Sequence, residues 1–243
     1  MRGTNRVVLA VAVLMVLAAL PAVATTPEDK ALSLTAVADN NRSYALRFNN
    51  HTTVTMGGAG TAQVVMPPQT EPSVAGRDPG TIFVLDNTAS MSHGRITNRA
   101  AGNLADGTAV ASSHAEDISL QVQGVEITME SLRAESHMNC DGPLTPAEAA
   151  AGSLVASLRV DGERVPVGEP NAVRHRVDTP DGLGFVEVAP LSVVANDDGS
   201  GWTTTALLIT VGTRTPWVAS PDEITTEQGV RLGVASTSVE CAA

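Results

Sequence analysis

Apolar and polar side chains alternate with a period of two along most of this chain, the pattern of strands with one face buried. Tyr44, Leu46 and Phe48 alternate with Ser43, Ala45 and Arg47. Residues 81–85 (TIFVL) form a short β-branched and apolar run between Gly80 and Asp86. Ile118, Leu120 and Val122 alternate with Ser119, Gln121 and Gln123, but beyond Gly124 the apolar set becomes Val125, Ile127 and Met129. A shift of one residue sends every side chain to the other face, so this slip predicts a bulge or tight bend at Gly124. Leu154, Ala156, Leu158 and Val160 lead into Asp161-Gly162, which predicts a hairpin turn followed by residues 163–167. Further strands are predicted at Phe185 and Glu187, over 202–211 and over 230–241, with turn chemistry at 196–201. The whole pattern predicts an all-β fold of β-sandwich-like antiparallel sheets.

One short helix interrupts it, near 145–151. Thr145 can cap, Pro146 suits the first helical position, and Glu148 completes a capping box. Alanines at 147 and 149–151 favour helix, and Gly152 ends it. Residues 66–80 carry Pro67, Pro68, Pro72 and Pro79 and are predicted as a surface loop outside any sheet. No internal linker divides the chain, so residues 25–243 are predicted as a single all-β domain.

The first 24 residues break the pattern altogether. Arg2 and Arg6 precede an unbroken apolar run over 7–20, followed by Pro21 and the small-x-small triplet Ala22-Val23-Ala24. This is the layout of a signal peptide, with cleavage predicted between Ala24 and Thr25. An uncleaved signal would instead leave the chain attached to the membrane, but the run is shorter than the roughly 20 residues that span a bilayer. No later stretch is apolar enough to serve as a spanning helix. The expected location is therefore secreted, outside the cell.

Export changes the reading of charge and cysteine. The chain carries 15 basic and 26 acidic residues, net −11, and loss of Arg2 and Arg6 takes the cleaved form to about −13. Such a chain repels phosphate backbones and anionic lipid, which argues against nucleic-acid binding. Lys30 is the sole lysine. The two cysteines, Cys140 and Cys241, read as a structural disulfide in an oxidising compartment. Two free thiols or a metal pair are the alternatives, the latter weakened by the absence of histidine at ligand spacing. Each cysteine ends a similar run: Ala134, Ser136, Met138, Cys140 and Ala235, Thr237, Val239, Cys241 share one parity within their strands. The C-terminal strand is accordingly predicted to lie in the core near the end of the strand over 131–140.

Candidate chemistry is sparse. The histidines are His51, His93, His114, His137 and His175, none paired at helical metal spacing. His114 with Glu116, Asp117, Ser112 and Ser113 forms the densest polar cluster and reads as a solvated loop before a strand. His137 alternates away from the Cys140 face and is expected to be exposed. Residues 196–199 (NDDG) offer oxygens without the distant bidentate glutamate of a calcium loop, so a plain turn is favoured. Residues 57–60 are glycine-rich but lack the lysine of a phosphate loop. Aromatic residues are too few for a stacking platform and are expected mostly in the core, with Trp217 the best candidate for exposure. No catalytic, cofactor-binding or metal-ligating residue is assigned.

Several of these runs together resemble the choice-of-anchor P proteins. The likeness covers about 105–241. It rests on the paired alternating runs around Gly124, Ala134-x-Ser136 leading to Cys140, and the run from Leu158 to Pro166 through Asp161-Gly162. Pro170-Asn171, the stretch from Gly182 to Val186 and the terminal strand closing on Cys241 complete it. The resemblance implies a secreted or surface-attached bacterial protein of uncharacterised function. The chain departs from the family in showing no sorting motif or apolar tail after Cys241, which favours a released product over an anchored one. The function expected is thus an exported, non-enzymatic structural or binding module with an extracellular or envelope partner. The alternatives are an exported hydrolase assembled from distant residues such as His114 or His175, and a calcium-dependent adhesion module.

Overall fold

The computed structural model describes residues 29–47, 60–84, 89–214 and 224–242. The predicted signal with its cut between Ala24 and Thr25 lies outside them, as do Phe48, His51, residues 57–59, Leu85 and Trp217. In chain order the first strands are β1 (Ala31–Arg47), β2 (Ala62–Met66), β3 (Ser73–Arg77), β4 (Gly80–Val84), β5 (Ala89–His93) and β6 (Ile96–Asn103). Two long strands follow, β7 (Thr108–Val122) and β8 (Val125–Asn139), then the helix α1 (Pro146–Ala149). Short strands β9 (Leu154–Ala156), β10 (Arg159–Val160), β11 (Glu163–Arg164) and β12 (His175–Asp178) precede three long ones, β13 (Gly184–Ala195), β14 (Gly201–Arg214) and β15 (Ile224–Cys241).

These strands build two antiparallel sheets packed face to face, the all-β arrangement expected. Sheet A has the order β12-β13-β14-β15-β1-β2, so the first and last strands of the fold are neighbours. Sheet B is centred on the β7–β8 hairpin. On its far side β7 pairs with β6 over one half and β5 over the other. Likewise β8 pairs with β9 and then β10. The core between the sheets is aliphatic and small: Leu34, Ile96, Leu120, Ile127, Leu132, Leu207, Ile209 and Leu232 are almost fully buried, together with many alanines.

Two turns and one helix form as their residues dictate. Val122 pairs with Val125 across Gln123 and Gly124, whose φ values are +48° and +82°. The slip at Gly124 is therefore a two-residue turn, not a bulge: residues opposite each other across a hairpin share a face, so Val122 and Val125 both point inward. Asp161 and Gly162 (φ +49° and +78°) make the same kind of turn between β10 and β11. In α1 the Thr145 hydroxyl accepts from the Glu148 N–H and the Glu148 carboxylate accepts from the Thr145 N–H, completing the capping box. Thr145→Ala is expected to cost about 1 kcal/mol, read by chemical denaturation.

Three expectations change. The proline-rich segment 66–80 is not merely a loop: β3 lies within it and pairs with β6 from Ser73↔Ala100 to Arg77↔Ile96. Its prolines flank this strand and do not interrupt it, so its N–H groups remain available for the ladder. Second, His114, Glu116 and Asp117 are not in a loop but inside β7. Third, Leu154 and Ala156 do not share the buried face of Leu158 and Val160. Val155 is buried while Leu154 is half-exposed, and the positive φ of Ser157 (+56°) resets the phase before Leu158.

Each long strand also breaks its alternation once, and the breaks line up. In sheet A, Pro190 and Leu191 of β13, Ala206 and Leu207 of β14, and Leu232 and Gly233 of β15 are consecutive buried residues lying in adjoining rows. Register is the same on both sides, with Ala189 opposite Leu208 and Ser192 opposite Thr205, because β13, β14 and β15 slip at the same level. Leu191 and Gly233 take left-handed backbone, φ +54° and +62°. In sheet B the slip has the opposite sense: Glu116 and Asp117 (φ +49°) are consecutive exposed residues of β7. Sheet A therefore turns an extra row of side chains inward. Gly233 stands where a Cβ would lie 2.5 Å from Leu132 Cδ1 of sheet B, so the approach needs a residue without a side chain.

Candidate functional site

Cys140 and Cys241 are bonded, with Cα atoms 5.6 Å apart. The bond joins the residue after β8 in sheet B to the last residue of β15 in sheet A. The matched parity of the two runs has a direct structural meaning: Ala134 and Ser136 face Ala235 and Thr237 across the core, all four buried. Ser136 Oγ lies 2.8 Å from Thr237 Oγ1 and donates to the Trp202 carbonyl at 2.9 Å, so this inward hydroxyl pair is satisfied. The disulfide rests on Gly107, where a Cβ would come within 2.9 Å of both Cys140 Cβ and Sγ. Beside it Lys30 Nζ and Asp141 Oδ1 form a 2.9 Å ion pair that holds the ammonium above its usual range. Cys140 N–H donates to the Gly107 carbonyl and Ala242 N–H to the Lys30 carbonyl. This end of the sandwich is a structural lock.

A second polar cluster lies in the core. Asn40 of β1 donates from Nδ2 to Ser113 Oγ of β7 at 3.2 Å, and Asn98 of β6 is the cross-strand neighbour of Ser113. All three side chains are fully buried, and Asn98 Nδ2 reaches the Gly60 carbonyl. The Oδ1 atoms of Asn40 and Asn98 have no hydrogen-bond partner, nor does Nε2 of the buried His93.

Two depressions open on the outer faces. On sheet A, the inward row leaves a groove of about 510 Å³ lined by Ser192, Val194, Thr203, Thr205, Leu208 and Arg231, with Asn196 and Asp197 at one end. That end is the predicted 196–201 turn. Asp198 Oδ1 accepts from Ser200 N–H and Oγ, while Asn196 bonds Thr203 and the Thr237 carbonyl, so these side chains hold the turn itself. On sheet B, Thr97, Arg99, Ser112, His114 and Arg133 line a shallow pocket of about 250 Å³. Here the register sets Thr97, His114 and Arg133 side by side in one row, with Arg99 and Ser112 in the next.

The described histidines do not converge. His114 faces outward on sheet B, whereas His175 lies on β12 at the edge of sheet A, and neither ring hydrogen-bonds to a serine or an aspartate among the described residues. His137 is not exposed as expected but half-buried, its Nε2 lying 3.1 Å from Glu135 Oε2 and 3.0 Å from the Ala151 carbonyl. Alternation puts His137 on the outer face correctly. What it misses is the chain over α1, which folds back across that face and covers Glu135. Among the described residues no three acidic, histidine or cysteine side chains gather as a metal site, and no helix is long and apolar enough to cross a membrane.

Local hydrogen bonds lower three carboxyls. Glu148, bonded by the Thr145 backbone and hydroxyl, is held below the usual carboxylate range. Asp181, bonded by Thr179 Oγ1 and Leu183 N–H, and Asp198, bonded by Ser200, are lowered in the same way. A carboxyl with a depressed folded pKa contributes stability above its unfolded value, about 4, and loses it as pH falls through the folded value. Stability is thus expected to decline below about pH 4. Glu148→Gln should flatten that decline in a series of denaturation curves at falling pH. An unchanged slope in the variant would count against the capping box as a contributor. No family model, curated protein or solved structure matches this chain.

Proposed function

We propose that this chain is an exported, non-enzymatic β-sandwich that acts outside the cytoplasm as a structural or binding module, with an envelope or extracellular partner, and that it is one of the choice-of-anchor P proteins. The observation carrying this reading is the disulfide Cys140–Cys241, which ties one sheet to the other and belongs to an oxidising compartment. The signal-like pattern ending at Ala24 supports it from the opposite end of the chain. Intact mass of protein recovered from the medium, with and without reductant, tests both. The expected mass begins at Thr25 and rises by two hydrogens on reduction. Retained residues 1–24, or two thiols already free, would overturn the reading.

The binding or structural role stands on the outward faces described above and on the dispersal of the described histidines. A hydrolase panel is expected to stay silent. Activity that disappears in His114→Ala or His175→Ala would replace this proposal with the hydrolase. The melting temperature is expected to be the same in calcium and in EDTA, because the Asp198 carboxylate is committed to Ser200. A calcium-dependent rise would favour an adhesion module instead.

A further inference from the structure

We propose that the outer face of sheet B binds an anionic oxygen group, a phosphate or a carboxylate, in the pocket formed by Thr97, Arg99, Ser112, His114 and Arg133. This deepens the binding-module reading by naming the chemistry of one surface.

The placement is unusual for so acidic a chain, net −11. In the ladder Thr97↔His114↔Arg133 the imidazole and a guanidinium are direct cross-strand neighbours on one face. Opposite residues in such a pair sit with Cβ atoms about 4.5–5.5 Å apart. Arg99 is on the diagonal, in the next row, which reads Arg99↔Ser112↔Glu135. Arg133 pairs with Glu135, while Arg99 and His114 make no hydrogen bond or ion pair among the described residues. Glu135 is itself shared with His137, so its charge is already divided.

The pocket is also equipped for oxygen ligands. Two guanidiniums give planar pairs of N–H donors suited to carboxylate and phosphate. The Thr97 and Ser112 hydroxyls and the imidazole N–H add neutral donors between them. Exposed apolar side chains bracket the site: Val74, 63% exposed, is opposite Arg99, and Leu154, 51% exposed, is opposite Arg133. They offer packing for the carbon frame that carries the charged group. The site lies on strands, so its donors are pre-positioned and little ordering is needed on binding.

Titration of the wild-type protein with inorganic phosphate and separately with glucuronate, at constant ionic strength, tests this through the His114 ring-proton signals. At least one probe is expected to give saturable shifts, and which of them does so tells phosphate from carboxylate. Arg99→Gln with Arg133→Gln should weaken that binding by about tenfold or more, as expected for loss of charge-assisted bonds each worth upwards of 1.4 kcal/mol. Arg164→Gln, an exposed arginine on β11, should leave it unchanged. Shifts that never saturate with either probe, or that fall equally in all three proteins, would reveal charge screening alone and overturn the site. That failure would leave the export reading intact, since the mass measurement reads it independently.

Discussion

Replacing both Cys140 and Cys241 with serine is expected to destabilise the domain by about 2–5 kcal/mol. The two residues are 101 apart in sequence, and closing a loop of that length restricts the unfolded chain by up to about 4.7 kcal/mol in the loop-entropy model. Native contacts at this end add to the effect. The bond sits on Gly107, next to the Cys140 N–H to Gly107 carbonyl hydrogen bond, and β15 ends there beside β1, with Ala31 opposite Cys241. For a domain of this size each kcal/mol moves the midpoint by about 2–4 °C, so calorimetry of the double variant should show a fall several times that. Reductant should produce the same loss in the wild type and none in the variant. A loss below about 1 kcal/mol, smaller than the range for native disulfides, would mean that the sheets are held by packing alone and the bond is incidental.

The second large effect concerns the aligned slip in sheet A. Gly233→Ala is expected to cost about 2–5 kcal/mol, combining about 1–2 for left-handed backbone with a side chain and about 1–3 for overpacking. The added methyl would stand 2.5 Å from Leu132 Cδ1 and 3.2 Å from Ala206 Cβ. Leu132→Ala alone, at a fully buried position, should cost about 2–5 kcal/mol through the cavity it leaves. Combined, the two should cost less than their sum, because the new methyl enters space the leucine has vacated. A double-mutant cycle from urea denaturation measures this, with a coupling of about 0.5–3 kcal/mol expected between residues in contact. Strict additivity would show that the sheets do not meet at this row, and the described packing would be wrong.

Much of the architecture was legible in the residues because it depends on neighbours. The Asp161-Gly162 turn, the Thr145–Glu148 box and the strands over 202–211 and 230–241 follow from local backbone preference and side-chain periodicity. The cysteine pairing was legible as well, through compartment and matched parity: Ser136 and Thr237 meet because each lies four residues before its cysteine on the same face. Tyr44 and Leu46 do fall within β1. Where a reading failed, a distant segment intervened. The proline-rich 66–80 contains a strand because β6 offers an edge to Ser73–Arg77. His114 lies in β7 because a polar run can form the outer face of a strand whose inner face is Ala111, Ser113 and Ala115. His137 is half-buried because α1 and the chain after it return over Glu135.

By itself the sequence determined most of the strands and turns, the short helix α1, and that the two cysteines could close on each other. Each rests on interactions within a few residues or on composition. Only the tertiary structure decided the rest: the row at which the strands of sheet A slip together, the buried Asn40–Ser113–Asn98 cluster, and the meeting of Arg99, His114 and Arg133 on one face. A slip in one strand is tolerable only if its hydrogen-bonded neighbours slip at the same level. The condition for it is therefore spread over strands far apart in the chain, and no single stretch of sequence carries it.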